Sequence, residues 1–167
     1  AHRSGTGLDP DSTVSKAHIP ETCARCHGTI AVEYAQSVHG RAIARGVREA
    51  PVCTDCHGEH DIYARGDPKS PVAPANVSAK VCTPCHASLR LSDKFDIAPD
   101  RSQSFADSYH GLAIRGGDTV EVANCASCHG SHDIRASGDP TSSVNKANLA
   151  ATCGKCHAGV LARYKQS

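Results

Sequence analysis

The sequence predicts a mostly irregular chain with short α-helices and little or no β-sheet, organised by attached groups rather than by an apolar core. Three observations predict this. The 167 residues include two Phe, four Tyr, no Trp and no Met, so side chains alone would build a thin core. Ten Cys and eleven His crowd into the same short chain, which points to cofactors, metals or disulfides. Asp-Pro turns and a Pro71 to Pro74 stretch punctuate the chain between the cysteines, and such breaks keep helices short.

The cysteines come first. All ten fall into five Cys-x-x-Cys pairs, each followed at once by His: Cys23, Cys26 and His27; Cys53, Cys56 and His57; Cys82, Cys85 and His86; Cys125, Cys128 and His129; Cys153, Cys156 and His157. This is the attachment pattern of c-type haem. Two thiols one helical turn apart reach the two vinyl groups of one porphyrin, and the next residue points its imidazole at the iron. Structural zinc also uses Cys-x-x-Cys, but normally two pairs per site, which leaves one of five unmatched. A disulfide scaffold explains the cysteines but not the histidines. A thioredoxin-like redox motif occurs once, beside a strand–helix unit. With His at 11 of 167 residues, five chance placements are about a one-in-a-million event. The expected cofactor is therefore haem c, five per chain. The porphyrins become the core, with the polypeptide wrapped around them.

Each iron needs a sixth ligand. Met would raise its potential, but the chain has none. Setting aside the five proximal histidines leaves His2, His18, His39, His60, His110 and His132. Five are needed, and His2, at a terminus, is read as the spare. The distal set is then His18, His39, His60, His110 and His132, with plain surface histidines as the alternative. Bis-His ligation gives low-spin, low-potential iron that is closed to substrate, so an electron carrier is expected rather than an enzyme.

An internal repeat sets the segments. Ser37-Val38-His39-Gly40 matches Ser108-Tyr109-His110-Gly111, and Cys56-His57-Gly58-Glu59-His60-Asp61-Ile62 matches Cys128-His129-Gly130-Ser131-His132-Asp133-Ile134. Residues 37–106 form one two-haem unit (haems 2 and 3) and 107–167 another (haems 4 and 5). Residues 1–36, with haem 1, echo the end of such a unit; there His18 falls where the later repeat has Asn148. All five haems are expected in one compact assembly. Ile30 to Ala44 and Ser102 to Ile114 lack Pro and read as short helices. His60 and His132, three residues beyond His57 and His129, start on the proximal side of their own haems. Each is therefore expected to ligate a neighbouring haem. Asp61 and Asp133 read as solvated loop carboxylates, with orientation of an axial imidazole as the alternative. His18, five residues before Cys23, is expected to serve a different iron. If ligand borrowing runs along the chain, His18 caps an iron of the next molecule, a head-to-tail contact that builds a filament.

Charge excludes some partners. Lys and Arg number 18 against 17 Asp and Glu, which offers no basic patch for nucleic acid. No apolar run approaches the roughly 20 residues that span a bilayer. The chain begins at Ala1, which reads as a mature, exported protein with its signal peptide removed, periplasmic or extracellular.

The five Cys-x-x-Cys-His motifs and the Cys-His-Gly-x-His element resemble multihaem c-type cytochromes of anaerobic respiration and extracellular electron transfer. The resemblance covers essentially the whole chain through its motifs. Within that group, the filament-forming cytochromes called nanowires use an N-terminal His to ligate a haem of the adjoining subunit. The resemblance implies that role for His18, and a polymer. Pentahaem nitrite reductases keep one iron open with a Cys-x-x-Cys-Lys site, and this chain has no such motif. Haem attachment in the class occurs outside the cytoplasm. Four readings follow: a filament subunit, a soluble periplasmic shuttle, a small multihaem reductase or oxidase, and a non-haem metal or storage protein. The two carriers exchange electrons with redox proteins or extracellular acceptors.

Overall fold

The computed structural model describes residues 7, 9, 11–117 and 122–167; His2 lies outside the described residues. Among them there is no strand. Eleven α-helices and one π-helical turn carry the regular structure, and the longest, α2, has nine residues. In chain order they are α1 (Ile19–Ala24), α2 (Gly28–Gln36), α3 (Val38–Ala44), α4 (Cys53–His57), the π-turn (Val77–Cys82), α5 (Thr83–His86), α6 (Leu89–Phe95), α7 (Arg101–Ala106), α8 (Tyr109–Gly116), α9 (Cys125–His129), α10 (Leu149–Gly154) and α11 (Ala158–Tyr164). None is long and apolar enough to cross a membrane.

The helix expected over Ile30 to Ala44 is two helices, broken at Ser37. Its backbone turns to φ −69°, ψ 165°, and its hydroxyl takes over as N-cap of α3. The Ser102 to Ile114 helix breaks the same way at Ser108, with φ −74°, ψ 162°. In both, the serine accepts from the N–H of the glycine three residues on, at 3.0 Å in Gly40 and 3.2 Å in Gly111. The same hydroxyl donates back to the end of the preceding helix, 2.7 Å from the carbonyls of Tyr34 and Phe105. One hydroxyl thus closes one helix and opens the next. Glycine is required beside it, because a Cβ on Gly40 or Gly111 would overlap the carbonyl oxygen of Tyr34 or Phe105.

Packing divides the chain into two units that cut across the sequence repeat: 1–53 with 128–167, and 54–127. In the first, α1 packs on α2, α2 on α3, and α10 on α11. The Tyr34 hydroxyl donates to the Pro51 carbonyl at 2.7 Å, fixing the approach to the second motif. Segment 134–135 docks at the α2–α3 junction, where the Val38 N–H donates to the Ile134 carbonyl at 2.8 Å. Arg135 donates to Gln36 Oε1 at 3.2 Å. In the second unit, the π-turn leads into α5, which packs on α6 and α7. Asn124 and Cys125 dock on this turn: Asn124 donates to the Pro74 carbonyl and the Cys125 N–H to Ser78 Oγ, each at 3.1 Å.

The apolar core is as thin as the composition implies. Among the described residues the buried apolar side chains are Ala50, Val52, Ala73, Val77 and Leu91, and the fully buried ones are serines, Ser12, Ser37 and Ser70. Larger apolar groups lie on the surface close to the Cys-x-x-Cys-His motifs. Val32 follows the first motif, Ile62 the second, Leu89 the third and Val160 the last; these are 60–69% exposed, and Tyr109, beside His110, is 92% exposed.

Candidate functional site

All five motifs place two thiols and an imidazole on one helical turn, by three local routes. In the first and last, the cysteines end a helix and the histidine caps the next. The His27 and His157 N–H groups each donate to the carbonyl of the first cysteine, Cys23 and Cys153, at 2.9 Å. Both histidines leave helical geometry there, at φ −115° and −101°, and start α2 and α11. In the second and fourth, the motif is itself a helix, α4 or α9, stopped by Gly58 or Gly130 at φ +87° and +80°. That left-handed backbone suits glycine. In the third, the π-turn delivers Cys82, and Pro84 stands in the first turn of α5, which ends at His86.

None of the ten cysteines is in a disulfide. These and the five motif histidines are all exposed or half-buried. Cysteines three residues apart on a helix share a face, so each motif offers one reactive edge. Among the described residues, no group of three or more His, Cys, Asp and Glu side chains converges as a cage for a bare metal ion.

The thiols differ in acidity. Burial, with the Asp55 charge adding to it, pushes Cys56 up to about 11. Cys82 and Cys125, first cysteines of the third and fourth motifs, meet across the Ser78 contact. Hydrogen bonds from Cys82 and Ser78 pull Cys125 down to about 6 against the opposing effect of burial. Its role as donor in that contact, with burial second, pushes Cys82 up. Burial lowers the His86 pKa.

The distal candidates are held by distinct devices. His39 and His110 are the second residues of α3 and α8, each between a capping serine and the tightly packed glycine. The sequence placed His60 and His132 one turn beyond His57 and His129. The structure differs: α4 and α9 end at those histidines, and Gly58 and Gly130 turn the chain off the helix axis. His60 and His132 therefore lie in bends outside the motif helices. The Val38–Ile134 hydrogen bond brings the segment after His132 to the residue before His39, a proximity across more than 90 residues that the repeat does not encode. Asp61 and Asp133 are exposed, and Asp133 folds back over Gly130. His18 is half-buried before α1, its Nδ1 3.0 Å from the Ser12 carbonyl oxygen and 3.1 Å from Ser15 Oγ. A cleft of about 250 Å³ beside the fourth motif is lined by His129, Asp133, Asn148, Thr152 and Lys155 among others.

Sequence reasoning missed the capping serines, although a Ser three residues before a Gly at both sites was the signal. It also missed Ser12 and Ser15, whose contacts to His18 span six and three residues of a turn rather than a helix.

No protein-family model, curated protein or solved structure matches this chain.

Proposed function

We propose that this chain is a pentahaem c-type electron carrier that works as a subunit of an extracellular conductive filament. One observation carries the reading: five times over, two thiols outside any disulfide and an imidazole share a turn of chain, exposed or half-buried. Large apolar side chains are exposed nearby. This donor set fits haem c, with thioethers on one edge and a neutral imidazole beneath the iron. The exposed apolar groups fit the flat faces of a porphyrin.

When bound, haem c supplies a one-electron ferric/ferrous couple. The ten motif cysteines anchor the five rings to the chain. His27, His57, His86, His129 and His157, paired with His18, His39, His60, His110 and His132, would supply the imidazoles that hold the irons. Paired imidazoles keep the potential low and leave no position for substrate. Val32, Ile62, Leu89 and Val160, exposed in the chain, would shield the bound rings from water. The chain's own residues thus fix and insulate a relay, and none is called on to move a substrate proton. In the filament, His18 serves an iron of the adjoining copy. The terminal partners are redox proteins or extracellular acceptors, met outside the cytoplasm.

A pyridine haemochrome spectrum with protein quantitation tests the first half. Five haems per chain are expected, and a colourless or zinc-loaded protein overturns it. Negative-stain electron microscopy of the native protein tests the second. Long thin filaments are expected, and uniform small particles at every concentration replace the filament with a soluble periplasmic shuttle. A high-spin iron that binds carbon monoxide in the native protein would move the reading to a reductase.

A further inference from the structure

A short turn occurs three times among the described residues, and the residue that closes it differs once. Each copy begins Asp-Pro, at Asp9-Pro10, Asp67-Pro68 and Asp139-Pro140. The Asp carbonyl accepts from a serine N–H three residues on, in Ser12, Ser70 and Ser142, at 3.0, 2.9 and 3.0 Å. All three serines are buried, at most 2% exposed. Each serine carbonyl then accepts from the N–H three further on, in Ser15, Ala73 and Asn145.

The turn is closed by a side chain six residues after the serine. Asn76 Nδ2 donates to the Ser70 carbonyl at 2.8 Å and Asn148 Nδ2 to the Ser142 carbonyl at 2.9 Å. In the first copy the closing residue is His18, whose Nδ1 lies 3.0 Å from the Ser12 carbonyl. The backbone around it is unchanged: the His18, Asn76 and Asn148 N–H groups all donate three residues back, at 2.8–2.9 Å.

The exchange of Asn for His keeps the bond to the serine carbonyl and adds a second ring nitrogen. A carbonyl oxygen only accepts, so Nδ1 carries the proton. Ser15 Oγ, at 3.1 Å, shares it. The neutral ring then has its lone pair on Nε2, at the far end from the turn. Among the described residues Nε2 has no hydrogen-bond partner. A histidine that only replaced the asparagine would need Nδ1 alone.

We propose that the Ser12 carbonyl and the Ser15 hydroxyl are positioning groups that lock His18 in the Nδ1–H tautomer and aim Nε2 at an axial position of a haem iron. This rests on the haem reading above. An imidazole ligand held through its other nitrogen has its orientation and tautomer fixed before the metal arrives. The two asparagine copies keep the same turn as scaffold, with no lone-pair nitrogen to offer.

The test exploits the repeat, because His18→Asn installs the residue that closes the same turn elsewhere. With haem attached, H18N is expected to keep the turn and the far-ultraviolet circular dichroism spectrum of the wild type. One of its five ferric irons is expected to become high-spin by electron paramagnetic resonance. One ferrous iron per chain should then bind carbon monoxide, and added imidazole should restore the low-spin signal. Five low-spin irons in H18N overturn the proposal while the haem reading stands; a wild-type protein without c-type haem removes both. If H18N melts early, imidazole rescue of the low-spin signal still separates ligand loss from misfolding. Ser15→Ala, which keeps the ligand, is expected to speed carbon monoxide binding at that iron about fivefold, the loss of one hydrogen bond. An unchanged rate overturns the role of Ser15.

Discussion

Gly40→Ala tests the α2–α3 corner on which His39 sits. The new Cβ would overlap the Tyr34 carbonyl oxygen and come within 2.8 Å of Ala35 Cα. Both obstacles are backbone, so no side-chain rotation relieves them. The corner must open, at an overpacking cost of about 1–3 kcal/mol. Opening strains the two hydrogen bonds of Ser37 Oγ, at 2.7 and 3.0 Å, each contributing about 1 kcal/mol. The helix propensity of alanine returns about 1 kcal/mol. The net loss is about 2–4 kcal/mol, a drop in Tm of about 4–16 °C for a chain of this size. Thermal unfolding followed by far-ultraviolet circular dichroism reads it, and Gly111→Ala should behave alike. Gly159→Ala is the control: it lies inside α11 with nothing within 4 Å of its Cβ, so it should hold or raise Tm. If Gly40→Ala melts with the control, the close approach does not constrain the corner and the account of the Ser-x-His-Gly repeat fails.

Two further outcomes follow from the same structure. Before haem attachment, iodoacetamide at pH 7 should label Cys125, with its pKa near 6, well before Cys56, with its pKa near 11; mass spectrometry after brief exposure reads the order, and equal labelling refutes it. In the same haem-free chain Cys56 also sets a pH dependence: its folded value lies above the ordinary 9.0, so the unfolded chain releases the proton first, and stability should fall as pH rises from about 9 to 11. Tyr34→Phe removes the hydroxyl that donates to Pro51 and should cost about 1 kcal/mol, seen as a Tm lower by about 2–4 °C.

Much of the local chemistry was legible because it is written at spacings of three and four residues. Cys-x-x-Cys-His is such a pattern, and the helical turn it implies is the one formed at every motif. The thin core followed from the absence of Met and Trp, and the want of strands among the described residues from the turn residues between motifs. The breaks at Ser37 and Ser108 were hidden because serine is tolerated within helices, and its capping role depends on what the next glycine packs against. The departure of His60 and His132 from the motif helices turns on the left-handed backbone of Gly58 and Gly130, which the sequence permits but does not dictate. Least legible was the pairing of 128–167 with 1–53. It rests on contacts such as Val38 to Ile134, between segments that the repeat assigns to different units.

The Asp-Pro turn has a consequence for how such a chain could lengthen. Its bonds close within about fifteen residues: Ser70 Oγ reaches back to Tyr63, and Asn76 reaches Pro68 and Ser70. Ser142 and Asn148 repeat the scheme with Arg135, Pro140 and Ser142. A segment that settles its own polar groups asks little of its neighbours. It can be duplicated in a gene and inserted without redesigning a shared interior. Growth by copying whole cassettes is then open to this architecture, and a single asparagine codon changed to histidine can give one cassette a task its siblings lack.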